Sequence, residues 1–263
     1  MTGYGTVRGM RHALIRSLFA GVLGASFASA AFAQTAAEVI DKHLTAVGGR
    51  AALGKLTSRK STGTVSISTP GGVISGPIEI SLKAPNKSRV AMQMDLSAMG
   101  VADRMSIEQR FDGAAGAMLN SMQGNNEITG NQLENMKNNI FPTPLLNYQA
   151  AGATVDLLPK EQLAGKDVIV LRFTPKSGSA VRLYLDGQTY LIVRTVAKVS
   201  APELGEYEQV SEPSDYRVVD GVKVPFSVVN SNQVQTIRIT LTTVQHNVAI
   251  DDAIFTVREP PRH

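Results

Sequence analysis

The chain has 263 residues, 26 basic and 22 acidic side chains, a formal charge of +4 and no cysteine. The absence of cysteine excludes disulfides, thiolate metal sites, thiol nucleophiles and lipid-modified cysteine anchors. Only four histidines occur, far apart along the chain, which argues against a histidine-rich metal site. With 43% apolar and 18% charged residues, the composition is that of a globular protein.

The first 33 residues have the pattern of an export signal. Three arginines and no acidic residue occur there, and an apolar run at 18–23 leads to Ala31-Phe32-Ala33. This order is typical of a secretory signal peptide, and the run is shorter than the ~20 apolar residues that span a bilayer. We therefore predict cleavage after Ala33 and a periplasmic location. The mature chain keeps 23 basic and 22 acidic residues, so no nucleic-acid partner is expected.

The mature chain begins with a predicted amphipathic helix. Thr35 and Glu38 fit a capping box, and Gly48-Gly49 ends the helical pattern. A short helical turn is predicted at 50–56. One face of the first helix carries apolar residues, namely Ala36, Ile40, Leu44 and Val47.

From Ser58 onward, apolar and polar residues alternate with the period of two that is typical of antiparallel strands. We predict five strands before residue 121, and six between 168 and 244. The intervening segment 121–151 breaks the pattern and is predicted to hold a helix near 131–140 and a turn at 144–148. The sequence thus predicts a mainly β (α+β) fold of about eleven antiparallel strands in one domain, 34–263. Its curved sheet or partial barrel would have helices able to cover the mouth.

The methionines are concentrated in one part of the chain. Seven of the nine lie between residues 92 and 136, and none follows Met136. Methionine is flexible and polarizable, so it suits surfaces that adapt to apolar ligands. The alternative is an ordinary core region that happens to use methionine.

No residue pattern indicates catalysis. Residues 49–55 fit G-x-x-x-x-G-K, but Leu56 stands where a phosphate loop needs Ser or Thr, and a helix precedes it. Asp251-Asp252 is a lone acidic pair that could cap a turn, and His43 and His246 are interpreted as structural. We therefore predict that the protein is not an enzyme and needs no metal or cofactor.

Four segments are informative together, namely the strand-turn Lys83-Ala84-Pro85-Asn86, the segment from Phe111-Asp112-Gly113 to Met118-Leu119-Asn120, residues 188–194, and the closing segment 250–257. Together they resemble the periplasmic outer-membrane lipoprotein carrier and lipoprotein-sorting family (LolA/LolB-like). Their order and spacing agree over nearly the whole mature chain.

The resemblance implies an eleven-stranded incomplete barrel with a helical lid over an apolar cavity. The family function is non-covalent carriage of lipid or lipoprotein acyl chains in the periplasm, with transient contact to membrane-bound donor or acceptor proteins. We expect a monomer. The alternative is a non-catalytic structural or accessory envelope domain on the same scaffold. The implied cavity residues are Met92, Met94, Leu96, Met105, Ile107 and Phe111 from the sheet, and Leu133, Met136, Ile140, Phe141, Leu145 and Leu146 from the lid.

One position departs from the family pattern. The carrier has an arginine immediately before the Pro-Asn turn, where it hydrogen-bonds the lid, whereas this chain has Ala84. Arg89 is a candidate to replace that contact.

Overall fold

The computed structural model describes residues 34–97, 100–101, 104–201 and 205–257. The predicted signal peptide and its cleavage after Ala33 lie outside these residues. So does Met99, one of the seven clustered methionines.

Two helices open the described chain. Helix α1 (Ala36–Ala46) has the predicted capping box, in which the Glu38 N–H donates to Thr35 Oγ1 at 3.2 Å and the Thr35 N–H donates to Glu38 Oε2 at 3.0 Å. Helix α2 (Arg50–Leu53) follows after Gly48, whose φ of +131° favours glycine. A Cβ at Gly48 would also meet the carbonyl oxygen of Gly221. The buried face of α1 comprises Val39, Ile40, His43 and Leu44.

Most of the remaining described residues form one antiparallel sheet of fourteen strands. The strands are β1 (Ser58–Thr69), β2 (Gly72–Lys83), β3 (Lys87–Asp95), β4 (Arg104–Phe111), β5 (Gly116–Asn120), β6 (Gly124–Ile128), β7 (Thr154–Leu157), β8 (Glu161–Leu163), β9 (Lys166–Thr174), β10 (Val181–Asp186), β11 (Ile192–Ala201), β12 (Gly205–Val219), β13 (Val222–Ser231) and β14 (Thr236–His246).

The sheet is open. Its order is β6-β5-β4-β3-β2-β1-β14-β13-β12-β11-β10-β9-β7, and β8 pairs with β9. The first and last strands are paired in the middle, so the edges are formed by β6 on one side and β7 on the other. Between the described residues of these two edges there is no strand pairing.

The predicted count of eleven strands was wrong because three short strands were missed. Strand β6 has the sequence GNNEI, in which Gly and Asn have low strand propensity and only Ile128 is buried. Strands β7 and β8 have four and three residues, too few to show alternation. The predicted antiparallel, mainly β architecture is confirmed.

Two of the apolar clusters lie on the face of the sheet that the helices cover, which we call the concave face. The first joins α1, α2 and the segment after residue 140 to β9 and β10, and includes Ile40, Leu44, Leu145, Leu171 and Leu185. The second lies on β1–β4 and β14 and is built on Val65, Ile78, Met94 and Leu96.

Helix α3 (Gly130–Asn138) is the helix predicted near 131–140, and a short 3-10 helix, Pro144–Leu146, matches the turn predicted there. None of the residues of α3 is fully buried. The helix therefore lies on the sheet without entering either core cluster.

Strands β2 and β3 approach closely at Gly76, which gives a test of the register. A Cβ at Gly76 would collide with the carbonyl oxygen of Gln93. We expect Gly76→Ala to lower the free energy of unfolding by about 1–3 kcal/mol, as measured by urea denaturation. Gly71→Ala, in the turn between β1 and β2, is the matched control because its Cβ would meet only Thr69 Oγ1 at 3.6 Å. Equal midpoints for the two variants would contradict this register.

Candidate functional site

Helix α3 bridges the two halves of the sheet. On one side Met136 lies over β4 and β5, with its Sδ 3.7 Å from Gln109 Nε2 and 3.3 Å from where a Cβ of Gly116 would stand. On the other side α3 contacts β11 and the β9–β10 turn. The absence of a side chain at Gly116 allows the methionine to come this close.

Polar contacts fasten α3 to the β9–β10 turn. Asn138 Nδ2 donates to the Ser177 carbonyl at 2.6 Å, and the Ser179 N–H donates to Asn135 Oδ1 at 2.9 Å. The Ser177 hydroxyl donates to Glu134 Oε2 at 2.6 Å. Hydrogen bonds of this kind contribute about 0.5–1.5 kcal/mol each, because water competes for the same groups.

A cavity of about 650 Å³ lies between α3, residues 143–145 and the concave face of β9–β12. This volume falls within the roughly 300–1,000 Å³ that is usual for small-molecule sites. Amide side chains of α3 and Gln109 and Gln209 of the sheet provide polar groups. The apolar walls are formed by Met136, Pro144, Leu145, Phe173, Val181, Leu183, Ile192, Ala197 and Val199.

Strand register explains why these walls are apolar. Val181 on β10 lies opposite both Phe173 on β9 and Ala197 on β11. Because side chains alternate across a strand, Leu183 and Val199 share the same face. The cavity is thus built from one continuous face of adjacent strands.

Of the twelve residues predicted to bind ligand, Met136 and Leu145 line this cavity. Leu145 is also part of the first core cluster, together with Phe141 and, at its margin, Leu146. Leu133 and Ile140 are half-buried. For all of these lid residues, contact with a ligand stays a prediction.

The six predicted sheet residues lie elsewhere on the concave face. Met94 is 0% exposed and Leu96 5% exposed at the centre of the second core cluster, and Phe111 is also fully buried. Met92, Met105 and Ile107 pack against that cluster and are half-buried. Their contact with a ligand likewise stays a prediction.

Sequence reasoning missed the cavity wall on β9–β12. The only signal is the alternation of Val181, Leu183 and Leu185 on β10, and from sequence alone it indicates no more than a strand. A strand pattern alone does not show which stretch of a sheet lies under a helix. The ligand-binding residues of the sheet were therefore predicted on β3 and β4, where the methionines are concentrated.

The lid contact proposed for Arg89 is wrong. Arg89 lies on the convex face, where its Nη1 donates to Glu79 at 2.9 Å and its Nε to Glu108 at 2.5 Å. These carboxylates raise the pKa of Arg89 above its usual value, with the Glu108 hydrogen bond the largest cause. The turn reaches the lid instead through the Phe141 N–H, which donates to the Pro85 carbonyl at 2.7 Å.

The acidic pair near the C-terminus is structural. Asp251 accepts from the Ala253 N–H at 2.9 Å and so caps a short 3-10 helix, Asp252–Phe255. Asp252 accepts from Lys83 and Lys87, each at 2.8 Å, and these hydrogen bonds lower its pKa to about 2. This pairing joins the C-terminal segment to β2 and β3.

Neither a metal cluster nor a membrane helix is seen in the described part of the chain. No three His, Asp or Glu side chains there are grouped so as to hold a metal ion. None of its helices has the length and apolarity needed to cross a bilayer.

No family model matches the sequence, and no curated protein does. Solved structures do match. A LolA superfamily protein from Nitrosomonas europaea has 14% identity and a TM-score of 0.54, covering 86% of this chain and 99% of its own. The chain has a LolA-like fold. The resemblance found in the sequence is thus confirmed at the level of the fold.

Two further structures agree with the LolA-like fold. A domain assigned to the outer membrane lipoprotein-sorting proteins of Vibrio parahaemolyticus has 10% identity and a TM-score of 0.52, covering 83% of this chain and 94% of its own. A DUF1329 family protein from Desulfovibrio piger ATCC 29098 has 14% identity and a TM-score of 0.55, covering 85% and 98%. At these identities the likeness shows the fold alone.

Proposed function

We propose that this chain is an exported, non-covalent carrier or binding protein for lipid or lipoprotein acyl chains. In this proposal residues 1–33 are a signal peptide cleaved after Ala33, and residues 34–263 act in the periplasm as one domain. It acts as a monomer that meets membrane-bound donor or acceptor proteins transiently, and it is not an enzyme.

The observation that carries the proposal is the apolar cavity beneath α3. Its walls are formed by apolar side chains of β9–β12, whereas α3, which covers it, is held by hydrogen bonds to the β9–β10 turn. A rigid apolar wall covered by a helix that hydrogen bonds hold in place suits a ligand that must be shielded from water and later released.

The energetics favour an aliphatic ligand. Moving one methylene from water into an apolar site contributes ~0.8 kcal/mol, so a dozen contribute about 10 kcal/mol. Ordering of the ligand and opening of the cover offset part of this gain. The remainder is enough for reversible binding.

The second core cluster, which contains Met92, Met94 and Met105, adjoins the cavity. Gln109 lines the cavity and lies two residues from Ile107 on the same face of β4. We place Met136 and Leu145 in direct contact with the ligand, and the half-buried Met92, Met105 and Ile107 next along the same face. The flexibility of methionine would let this region adjust to chains of different length.

A structural or accessory envelope domain remains the alternative. A packed interior would favour it, and the cavity of about 650 Å³ gives it no support. A lipid-binding assay separates the two.

Blocking the cavity should abolish binding without disturbing the fold. Ala197 lines the cavity on β11, and the next residue, Lys198, is exposed. We expect Ala197→Phe to weaken binding of Nile red, an uncharged apolar dye, at least tenfold. Lys198→Phe adds the same ring to the outside of the same strand and should bind like the wild type.

Two measurements would contradict the proposal. One is equal Nile red affinity in Ala197→Phe and the wild type. The other is native mass spectrometry of protein isolated from its own periplasm that shows no bound lipid, together with no Nile red binding.

A further inference from the structure

Arg59 is a basic residue in the interior of the fold. It lies on β1 opposite Leu82 of β2 and His246 of β14, and it shares one face of β1 with Ser61 and Val65. Val65 belongs to the second core cluster, so these side chains occupy the concave face. The guanidinium carbon is 6.0 Å from the centre of the Phe141 ring.

The polar atoms around Arg59 lack partners. Among the described residues, Arg59 Nε and Ser61 Oγ are enclosed and have no hydrogen bond. His246 Nδ1 is 3.3 Å from Asp220 Oδ2 but is not aligned for a hydrogen bond with it. Two enclosed groups without partners on one face of β1 are unusual, because buried polar atoms are nearly always paired.

The enclosed charge is costly without a counterion. Burial lowers the pKa of Arg59 to about 10, and no carboxylate is among the causes of that shift. Arginine still carries its charge at neutral pH, and no ion pair of Arg59 with an acidic side chain is seen among the described residues. The Arg59 side chain as a whole is half-buried although its Nε is enclosed, so part of it stays accessible.

The segment that covers Arg59 also lines the cavity. Phe141 lies over the guanidinium, and residues 143–145 of the same segment form part of the cavity wall. A ligand in the cavity is thus separated from Arg59 by one short stretch of chain. Phe141 would have to move aside for a ligand in the cavity to reach Arg59.

We infer that Arg59, with Ser61 and His246, binds the carboxylate of a fatty acid whose chain occupies the cavity. The inference rests on the proposed function and specifies its ligand. A carboxylate carries one negative charge and would balance the one charge of Arg59, whereas a phosphate monoester would bring close to two. Burial and the neighbouring Arg59 lower the pKa of His246, which favours a neutral imidazole there.

The experiment compares two ligands of equal chain length, laurate and 1-dodecanol, in displacing Nile red from the full mature protein at pH 7.5. The wild type should bind laurate roughly ten- to a hundredfold more tightly, the ratio expected for a charge-assisted hydrogen bond. Arg59→Met should bind both ligands equally, with dodecanol affinity unchanged within about twofold. Arg172→Met removes an exposed arginine that pairs with Asp156 away from the cavity, so it should retain the preference for laurate.

The outcomes separate this inference from the proposed function. If neither laurate nor dodecanol displaces Nile red, the carrier proposal fails and the inference fails with it. If both bind the wild type equally, the carrier proposal stands and the carboxylate site is overturned; this result needs no variant. An Arg59→Met protein that loses both ligands equally, or keeps the laurate preference, also overturns it.

Discussion

Replacing Met94 by Asp should unfold most of the protein at room temperature rather than only weaken ligand binding. Met94 is 0% exposed and packs with Val65, Ile78 and Leu96. Truncating such a side chain costs about 2–5 kcal/mol, and an unpaired buried carboxylate adds several more. The sum approaches the 5–15 kcal/mol that stabilise a typical domain.

Circular dichroism during urea titration would measure this effect. Met94→Leu is the matched control, because a volume-conserving apolar exchange usually costs less than about 1.5 kcal/mol. A Met94→Asp protein with a wild-type midpoint would show that this side chain is not in a packed core. Loss of binding in Met94→Asp therefore cannot serve as a test of a methionine-lined ligand site.

Tying α3 to the β9–β10 turn should slow ligand exchange at least a hundredfold. A Cβ at Gly178 would stand 3.4 Å from the Cβ of Glu134, close to the ~3.5–4.5 Å found in disulfides. The double variant Glu134→Cys, Gly178→Cys can therefore form a bond between the cover and the sheet. Because the chain has no cysteine of its own, no other disulfide can compete.

Stopped-flow release of Nile red from the oxidised and reduced double variant gives the comparison. The reduced form is its own control, since it carries the same strain at Gly178, where φ is +85°. Each single-cysteine variant should be insensitive to the reductant. Equal release rates in the two redox states would mean that α3 does not gate the cavity.

Individual helices and strands were easier to predict from the sequence than the elements against which they pack. The capping box at Thr35 and Glu38, the long alternating strands and the helix near 131–140 depend on local patterns, and all appear in the structure. Strand β6 was not predicted because its polar residues pair with β5 at an exposed edge, where no buried face imposes an alternating pattern. Edge strands carry the weakest pattern for this reason.

The site was harder to predict, because it depends on which strands a helix covers. Local sequence placed Met136 and Leu145 on the cover, and both line the cavity. It could not show that the β9–β10 turn at Ser177 receives α3, because that contact joins residues about 40 positions apart. The interior position of Arg59 was equally hidden, since it follows only from strand pairing with β14.

In the proposed carrier, the weak anchoring of α3 separates the timescale of ligand exchange from the lifetime of the folded state. No residue of α3 is fully buried, so lifting it breaks a few hydrogen bonds without disrupting either core cluster. Such local openings occur in microseconds to seconds and leave the sheet intact. Substitutions that stabilise the sheet can therefore lengthen the lifetime of the folded protein without slowing the exchange of its ligand.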